Sequence, residues 1–210
     1  MTVVEEEGRT SEEAVRAGLE KLGLGREYVL VEILEEGTRG FLGLGGRAAR
    51  VRLTVTPTGS QLLHGRRLLE GLLRLVGVDA GVTVQEIEGV LRLEVRGEDA
   101  GLLIGKHGQT LDSLNFLFTR ILSRQLGERA QVQIDVEEYR DRRRNLLIQR
   151  ALKLAEQVKS TGEPVALEPM SPIDRRTIHV TLQRDSGVRT SSEGEGGLRR
   201  LVISPVSRRA

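Results

Sequence analysis

Residues 91–122 read LRLEVRGEDAGLLIGKHGQTLDSLNFLFTRIL, and they join a strand pattern to a helix pattern through a loop bounded by two glycines. Aliphatic residues alternate with charged ones from 91 to 96, which predicts a half-buried β-strand. Apolar residues after the loop recur at helical spacing and predict a helix that ends at Gly127. Residues 98–104 are predicted to form a short helix with acidic residues in its first turn.

The segments on either side of this stretch extend the pattern. Before it, apolar residues of 62–76 recur at helical spacing, and residues 82–95 predict two strands joined by a turn at Gly89. After it, residues 132–136 alternate as a third strand. The predicted order over residues 61–136 is therefore α-β-β-α-loop-α-β. In the longer helix, Phe118 lies on the apolar face, whereas Phe116 lies off it and is assigned to a dimer or packing surface.

The loop Gly105-Lys106-His107-Gly108 has the composition of a phosphate-binding turn. Glycine adopts backbone angles that other residues avoid and lets a ligand approach the backbone closely. The helix that follows presents unpaired amide groups and the positive end of its dipole. Lys106 adds a cation and His107 adds a hydrogen-bonding group, so the loop is the leading candidate for a binding site.

An apolar shelf is expected beside this loop, formed by Ile104 together with Leu91 or Leu93. A Walker phosphate loop is excluded, because the spacing from Gly101 is one residue short and His107 stands where a serine or threonine would hold magnesium. An ordinary turn between two helices is the alternative for the tetrapeptide by itself.

Residues 1–56 predict a β-α-β-β unit, in which residues 10–13 have the spacing of a capping box at the start of the helix. A glycine-rich loop separates the last two strands. A strand rather than a helix follows this loop, which excludes a dinucleotide-binding turn, and Phe41 and Leu42 within it are candidate docking residues for a partner protein. Residues 57–60 contain proline, glycine and serine and are predicted to be a short linker.

Residues 137–210 begin with a predicted long helix over 137–158. Its start carries four arginines, Arg140, Arg142, Arg143 and Arg144. Ser171 is predicted to cap a second helix, with Asp174 completing the capping pattern. A glycine-rich turn and a final strand follow.

The second helix carries Arg175, Arg176 and His179. Arg175 and His179 are four residues apart and therefore project from the same side of the helix. Residues 137–210 hold fifteen basic and ten acidic side chains, whereas residues 1–57 hold eight and ten and residues 58–136 nine and ten. A polyanionic partner is therefore expected to meet mainly the last third of the chain, although a solvated basic face explains the charge equally well.

The composition and motifs of the chain argue against several classes of function. The chain has no cysteine, which excludes disulfides and thiolate chemistry, and its three histidines are too scattered to predict a metal site. No nucleophile-elbow pattern surrounds a serine, and the aromatic content of 2% does not suit a base-stacking RRM sheet. A non-enzymatic binding protein without cofactor, metal or small-molecule substrate is expected, and the lack of a signal peptide or long apolar run favours the cytoplasm.

The element order over 61–136 with Ile104-Gly105-Lys106-His107-Gly108 resembles a type II KH domain. Residues 168–179, 189–196 and 200–205 resemble the domain named for an arginine and a histidine separated by three residues. Preceded by a small unit with the motif Gly-Phe-Leu-Gly-Leu-Gly, the chain is similar to the bacterial Jag/KhpB family, also called EloR or SpoIIIJ-associated proteins. The resemblance implies three small α+β domains, at 1–56, 61–136 and 137–210.

The resemblance further implies that the KH loop binds single-stranded RNA, that Arg175 binds phosphate and that His179 orients or hydrogen-bonds the ligand. It implies a post-transcriptional role in cell elongation or division, a partner that is a small KhpA-type KH protein or a second copy of the chain, and a peripheral link to a YidC-type membrane insertase. Many family members carry a long charged linker after the first domain, whereas this chain has a short one. A protein-interaction adaptor that docks through Phe41 and Leu42 is the alternative function.

Overall fold

The computed structural model describes residues 2–38 and 47–206 and forms two compact units, Met1–Glu137 and Glu138–Ala210. The described residues contain five α-helices and three three-stranded sheets, which confirms the predicted α+β class. The helices are α1 (Ser11–Leu22), α2 (Pro57–Leu75), α3 (Gln109–Leu126), α4 (Tyr139–Thr161) and α5 (Pro172–Leu182). The strands are β1 (Val3–Gly8), β2 (Val29–Glu35), β3 (Ala49–Val55), β4 (Gly81–Ile87), β5 (Val90–Arg96), β6 (Val132–Val136), β7 (Val165–Ala166), β8 (Val188–Glu193) and β9 (Arg200–Pro205).

The first sheet is antiparallel, with the strand order β1-β3-β2, and α1 packs against it. Gly18 of α1 lies so close to Leu53 of β3 that a Cβ atom at Gly18 would collide with the leucine side chain. Thr10 Oγ1 accepts a hydrogen bond from the Glu13 amide at 3.2 Å, as the capping pattern predicts. The Glu13 carboxylate completes the cap differently, because it accepts from the Arg9 amide.

Helix α2 starts directly after β3. Thr56 Oγ1 accepts a hydrogen bond from the Gly59 amide at 3.1 Å, and Pro57 occupies the first turn. Residues 57–60, predicted as a linker, are instead the first turn of α2, because a threonine followed by proline is also a helix-start signal. The boundaries of the three domains stay a prediction.

Tyr28, beside the start of β2, contacts the second sheet. Its hydroxyl donates to the carbonyl of Glu86 at 3.4 Å and accepts from the amide of the same residue at 3.3 Å. Glu86 lies on β4, which is an edge strand because the order of this sheet is β4-β5-β6. The β4–β5 hairpin turns through Glu88 and Gly89, both at positive φ, as in the tight turns that join antiparallel strands. Strands β5 and β6 are parallel.

Helices α2 and α3 cover this sheet, and Phe118 of α3 is fully buried, as predicted from the apolar face. The predicted helix over residues 98–104 is a 3-10 turn, Ala100–Leu103. The amides of Ala100, Leu102 and Ile104 each bond a carbonyl three residues earlier, which is the 3-10 pattern. The loop that leads to α3 therefore starts from a hydrogen-bonded turn.

In the second unit, α4 and α5 pack on an antiparallel sheet with the order β7-β9-β8. Glu137 and Glu138 have φ values of 50° and 58°, so α4 begins at Tyr139 rather than at the predicted residue 137. Ten buried residues form the core: Leu147, Ala151, Ala155, Val158, Leu167, Ile178, Leu182, Val188, Leu201 and Ile203.

Asp174 is the one buried charged residue among the described residues. Ser171 Oγ accepts from its amide at 3.1 Å, so the predicted cap of α5 is confirmed. The Asp174 carboxylate does not complete a capping box, however, because Arg143 of α4 donates to it from Nη2 at 3.0 Å and from Nε at 3.3 Å. Arg143 is therefore a half-buried partner of α5 rather than part of an exposed basic cluster.

Candidate nucleic-acid interface

The loop between the 3-10 turn and α3 requires glycine at its first position. Gly105 has φ 66° and ψ −168°, a region that only glycine adopts readily. A Cβ atom there would collide with the side chain of Thr110 in the first turn of α3. Gly105 therefore allows the loop to pass directly over the start of the helix.

The other end of the loop folds back onto the start of α3. His107 and Gly108 both have left-handed backbone angles, with φ values of 56° and 87°, and the amides of Gln109 and Leu111 donate to the carbonyls of Lys106 and Ile104. Hydroxyl side chains cap α1, α2 and α5, whereas Gly108 supplies no side-chain cap to α3. The start of α3 therefore has no side-chain cap from Gly108, and its positive dipole end suits a phosphate ligand.

The predicted loop residues lie at the surface to different degrees. Gly105 and Lys106 are exposed, Ile104 and His107 are half-buried, and Gly108 is buried. The Lys106 side chain is thus exposed beside the start of α3. The cation and the positive end of the helix dipole lie on one small surface.

The prediction of an apolar shelf is wrong for Leu91 and Leu93. Leu91 and Leu93 are only 8% and 1% exposed, because the odd-numbered residues of β5 face the core. Leu91 packs against Gly65 of α2, where it would block a Cβ atom. Leu102, in the 3-10 turn just before the loop, is 70% exposed and offers the apolar surface instead.

The second candidate site is a groove between α5, β8 and β9 in the second unit. Its volume is about 360 Å³. The residues that line it are Pro172, Arg175, Arg176, His179, Thr190, Ser191, Ser192 and Leu201. All three residues predicted on this helix therefore meet in one groove, which the spacing of Arg175 and His179 on one helix side anticipated.

Two contacts fix the groove side chains. Arg175 Nη1 donates to the carbonyl of Arg199 at 3.4 Å, and His179 Nδ1 lies 2.6 Å from Thr190 Oγ1. Thr190 and Ser192 were not predicted as site residues. Their signal is the alternation of β8, since both share the face of the buried Val188 that meets α5.

One arginine at the basic start of α4 is paired. Arg144 lies 3.4 Å from Asp141 of the same helix, so part of this basic cluster is neutralised by an acidic neighbour.

The predicted docking residues Phe41 and Leu42 lie outside the described residues. Within residues 2–38 and 47–206, no cluster of three or more histidine, aspartate or glutamate side chains could hold a metal. No helix in the same ranges is both long and apolar enough to cross a membrane.

Three family models match the chain in succession. They are the Jag N-terminus at residues 7–55, the KhpA/KhpB KH domain at 66–134 and the R-3-H domain, named for its arginine and histidine, at 145–205. The RNA-binding protein KhpB of Bacillus subtilis (strain 168) is 39% identical over 199 residues, which covers 94% of this chain and 95% of that protein. The RNA-binding protein KhpB of Clostridium symbiosum is 37% identical over 206 residues, covering 97% and 92%.

Proposed function

The chain belongs to the KhpB family, whose members are named as RNA-binding proteins, and on that basis we propose that it binds single-stranded RNA at two sites and is not an enzyme. The first site is Ile104, Gly105, Lys106, His107 and Gly108. The second is the groove with Arg175, Arg176 and His179. Two linked sites raise the overall affinity above that of either site alone.

The observation that carries the proposal is the glycine loop that passes over the start of α3. Gly105 brings the backbone close to the helix, and Gly108 supplies no side-chain cap there. A sugar-phosphate backbone supplies acceptors at this point, and Lys106 supplies the matching charge. Leu102 and Ile104 would then contact bases, as aliphatic KH grooves do without aromatic stacking.

Crosslinking of the intact chain to RNA in cells, followed by mass spectrometry of the crosslinked peptides, tests this function. We expect crosslinks in the peptide that contains Gly105–Gly108 and in the peptide that contains α5. Recovery of RNA attached only to peptides of the first domain would contradict both sites.

Replacement of Arg175 by alanine is expected to weaken RNA binding about three- to tenfold, because one charge-assisted contact to phosphate is lost. The slope of log affinity against log salt concentration should fall by about 0.7, the value for one phosphate contact on a single strand. Fluorescence anisotropy with a labelled single-stranded RNA of mixed sequence measures both. Arg184→Ala, at an exposed arginine outside the groove, is the control, and an unchanged slope for Arg175→Ala would remove Arg175 from phosphate binding.

A small KhpA-type KH protein or a second copy of the chain is the proposed protein partner. The matching KH model covers KhpA and KhpB together. Phe116 and Leu117 of α3 are 59% and 58% exposed, and Arg120 stacks over the Phe116 ring at 5.3 Å from its centroid. Exposed aromatic surface of this kind favours a protein contact.

A protein-interaction adaptor is the second candidate function. An apolar groove of about 480 Å³ between α1 and β2, lined in part by Val15, Leu19, Val31 and Ile33, favours it. The family resemblance alone supports three further parts of the proposal. These are a cytoplasmic location, control of cell elongation or division, and a link to a YidC-type insertase. The crosslinking experiment separates the two functions, since an adaptor with secondary RNA binding would yield few peptides from either RNA site.

A further inference from the structure

The contact between His179 and Thr190 constrains what the groove of the second unit can bind. His179 projects from α5 and is exposed, whereas Thr190 is half-buried on β8 opposite Ile203 of β9. The 2.6 Å separation of His179 Nδ1 and Thr190 Oγ1 makes this a short hydrogen bond. Within the described ranges, the Thr190 hydroxyl has no other hydrogen-bond partner.

A hydroxyl can both donate and accept, so the contact fits either neutral tautomer of the ring. In one tautomer the Thr190 hydroxyl donates to Nδ1 and the ring proton resides on Nε2; in the other, Nδ1–H donates to Thr190 Oγ1 and Nε2 is an acceptor. When the imidazole is protonated, Nδ1–H donates to Thr190 Oγ1 and Nε2 still carries a proton. His179 Nε2 is therefore a hydrogen-bond donor in the first neutral tautomer and in the protonated ring, and a ligand that accepts hydrogen bonds favours these two states.

The other charged side chains of the groove also donate hydrogen bonds. Arg175 and Arg176, the charged side chains that line it besides His179, are donors only. The lining residues of β8 and β9 are three hydroxyl residues and a leucine, with no carboxylate among them. The complementary ligand group is an anionic acceptor, and in RNA that is a phosphate oxygen.

We propose that Thr190 is a positioning residue that holds His179 with Nε2–H directed at an RNA phosphate. This inference rests on the proposed RNA-binding function of the groove. It assigns to His179 a fixed donor role toward the backbone, and it assigns to Thr190 a role that acts entirely through His179.

The tautomer of His179 is the first test, because it can be read without RNA. Long-range ¹H–¹⁵N correlation spectra of the intact chain, recorded over a pH series up to the point where the ring signals stop changing, distinguish Nδ1–H from Nε2–H in the neutral ring. The chain has only three histidines, and the signals lost in His179→Gln identify the ring. We expect the Nε2–H form in the unmodified chain and a mixture of forms in Thr190→Val.

RNA affinity supplies the second test, with the labelled single-stranded RNA of mixed sequence as the probe. Valine keeps the branched shape of threonine but lacks the hydroxyl. We expect Thr190→Val to weaken binding about fivefold, because the freed ring must be ordered on binding, and His179→Ala to weaken it about tenfold. The double variant should bind no more weakly than His179→Ala, and Thr190→Ser should restore most of the affinity.

Three results would overturn the inference. A neutral His179 with its proton on Nδ1 contradicts the fixed donor. Additive losses in the double variant show that Thr190 acts independently of His179. If His179→Ala binds RNA as well as the unmodified chain, His179 is not part of an RNA site, and the proposed second RNA site fails together with this inference.

Discussion

Joint replacement of Lys106 and His107 by aspartate is expected to lower the affinity for single-stranded RNA about a hundredfold, or about 2.7 kcal/mol. The ammonium group of Lys106 is lost, and two carboxylates are placed in the loop over the start of α3. Each change opposes a phosphate ligand, through repulsion and through the loss of a charge-assisted contact. We expect the remaining affinity to come from the proposed second site in the groove of the second unit.

The backbone of the loop should survive this change. Lys106 is exposed, and His107 has the left-handed conformation that aspartate tolerates better than most residues. Gly105 and Gly108, which the geometry requires, are untouched. A loss of RNA binding therefore reports the contact rather than the fold.

Anisotropy titration at fixed salt, with circular dichroism to verify folding, measures the effect. The control is Arg67→Asp with Arg74→Ser, which alters net charge by the same amount at two exposed positions of α2. We expect the control to weaken binding less than about threefold, through long-range charge alone. An equal loss of RNA affinity in the two variants would show that the loop acts only through the net charge of the chain and makes no specific contact.

Replacement of Arg143 by methionine is expected to destabilise the second unit by about 3–5 kcal/mol. The Arg143 and Asp174 side chains are only 16% and 10% exposed. Without the guanidinium group, the Asp174 carboxylate stays buried without its charge partner at the start of α5. The groove depends on α5, so its RNA contact should be lost with the fold.

Hydrogen exchange of the intact chain, followed by peptide mass spectrometry under increasing urea, measures this destabilisation in the second unit separately from the first. Arg144→Met is the matched control, because Arg144 and Asp141 form an exposed pair with side chains 62% and 73% accessible. Exposed pairs of this kind contribute about 1 kcal/mol or less. Full protection of the α5 peptides in Arg143→Met would refute the structural role, whereas Arg143→Met with Asp174→Leu should recover most of the stability.

Periodicity predicted the elements of this fold well because each strand and helix has one apolar face. It missed features in which two signals overlap. Thr56 and Pro57 suit a linker as well as a helix start, and only the bond from Gly59 to Thr56 decides between them. Residues 98–104 have helical composition, but their amides bond three residues back.

The candidate site residues could be proposed from the sequence where the chemistry is local, as in the loop and in the spacing of Arg175 and His179. Contacts between elements distant in the chain were not. Thr190 reaches His179 from a strand eleven residues later, and Arg143 reaches Asp174 from thirty-one residues earlier. Neither partner stands out by composition, because both acquire their role only when the second unit packs.

The pairing of Tyr28 with Glu86 also bears on self-association. Edge strands with free amides and carbonyls invite other chains to add to the sheet. On β4, the Tyr28 hydroxyl occupies both backbone groups of Glu86 from the side, so a foreign strand cannot pair with this residue while residues 1–55 are in place. Loss of residues 1–55 would free both groups of Glu86 for such pairing.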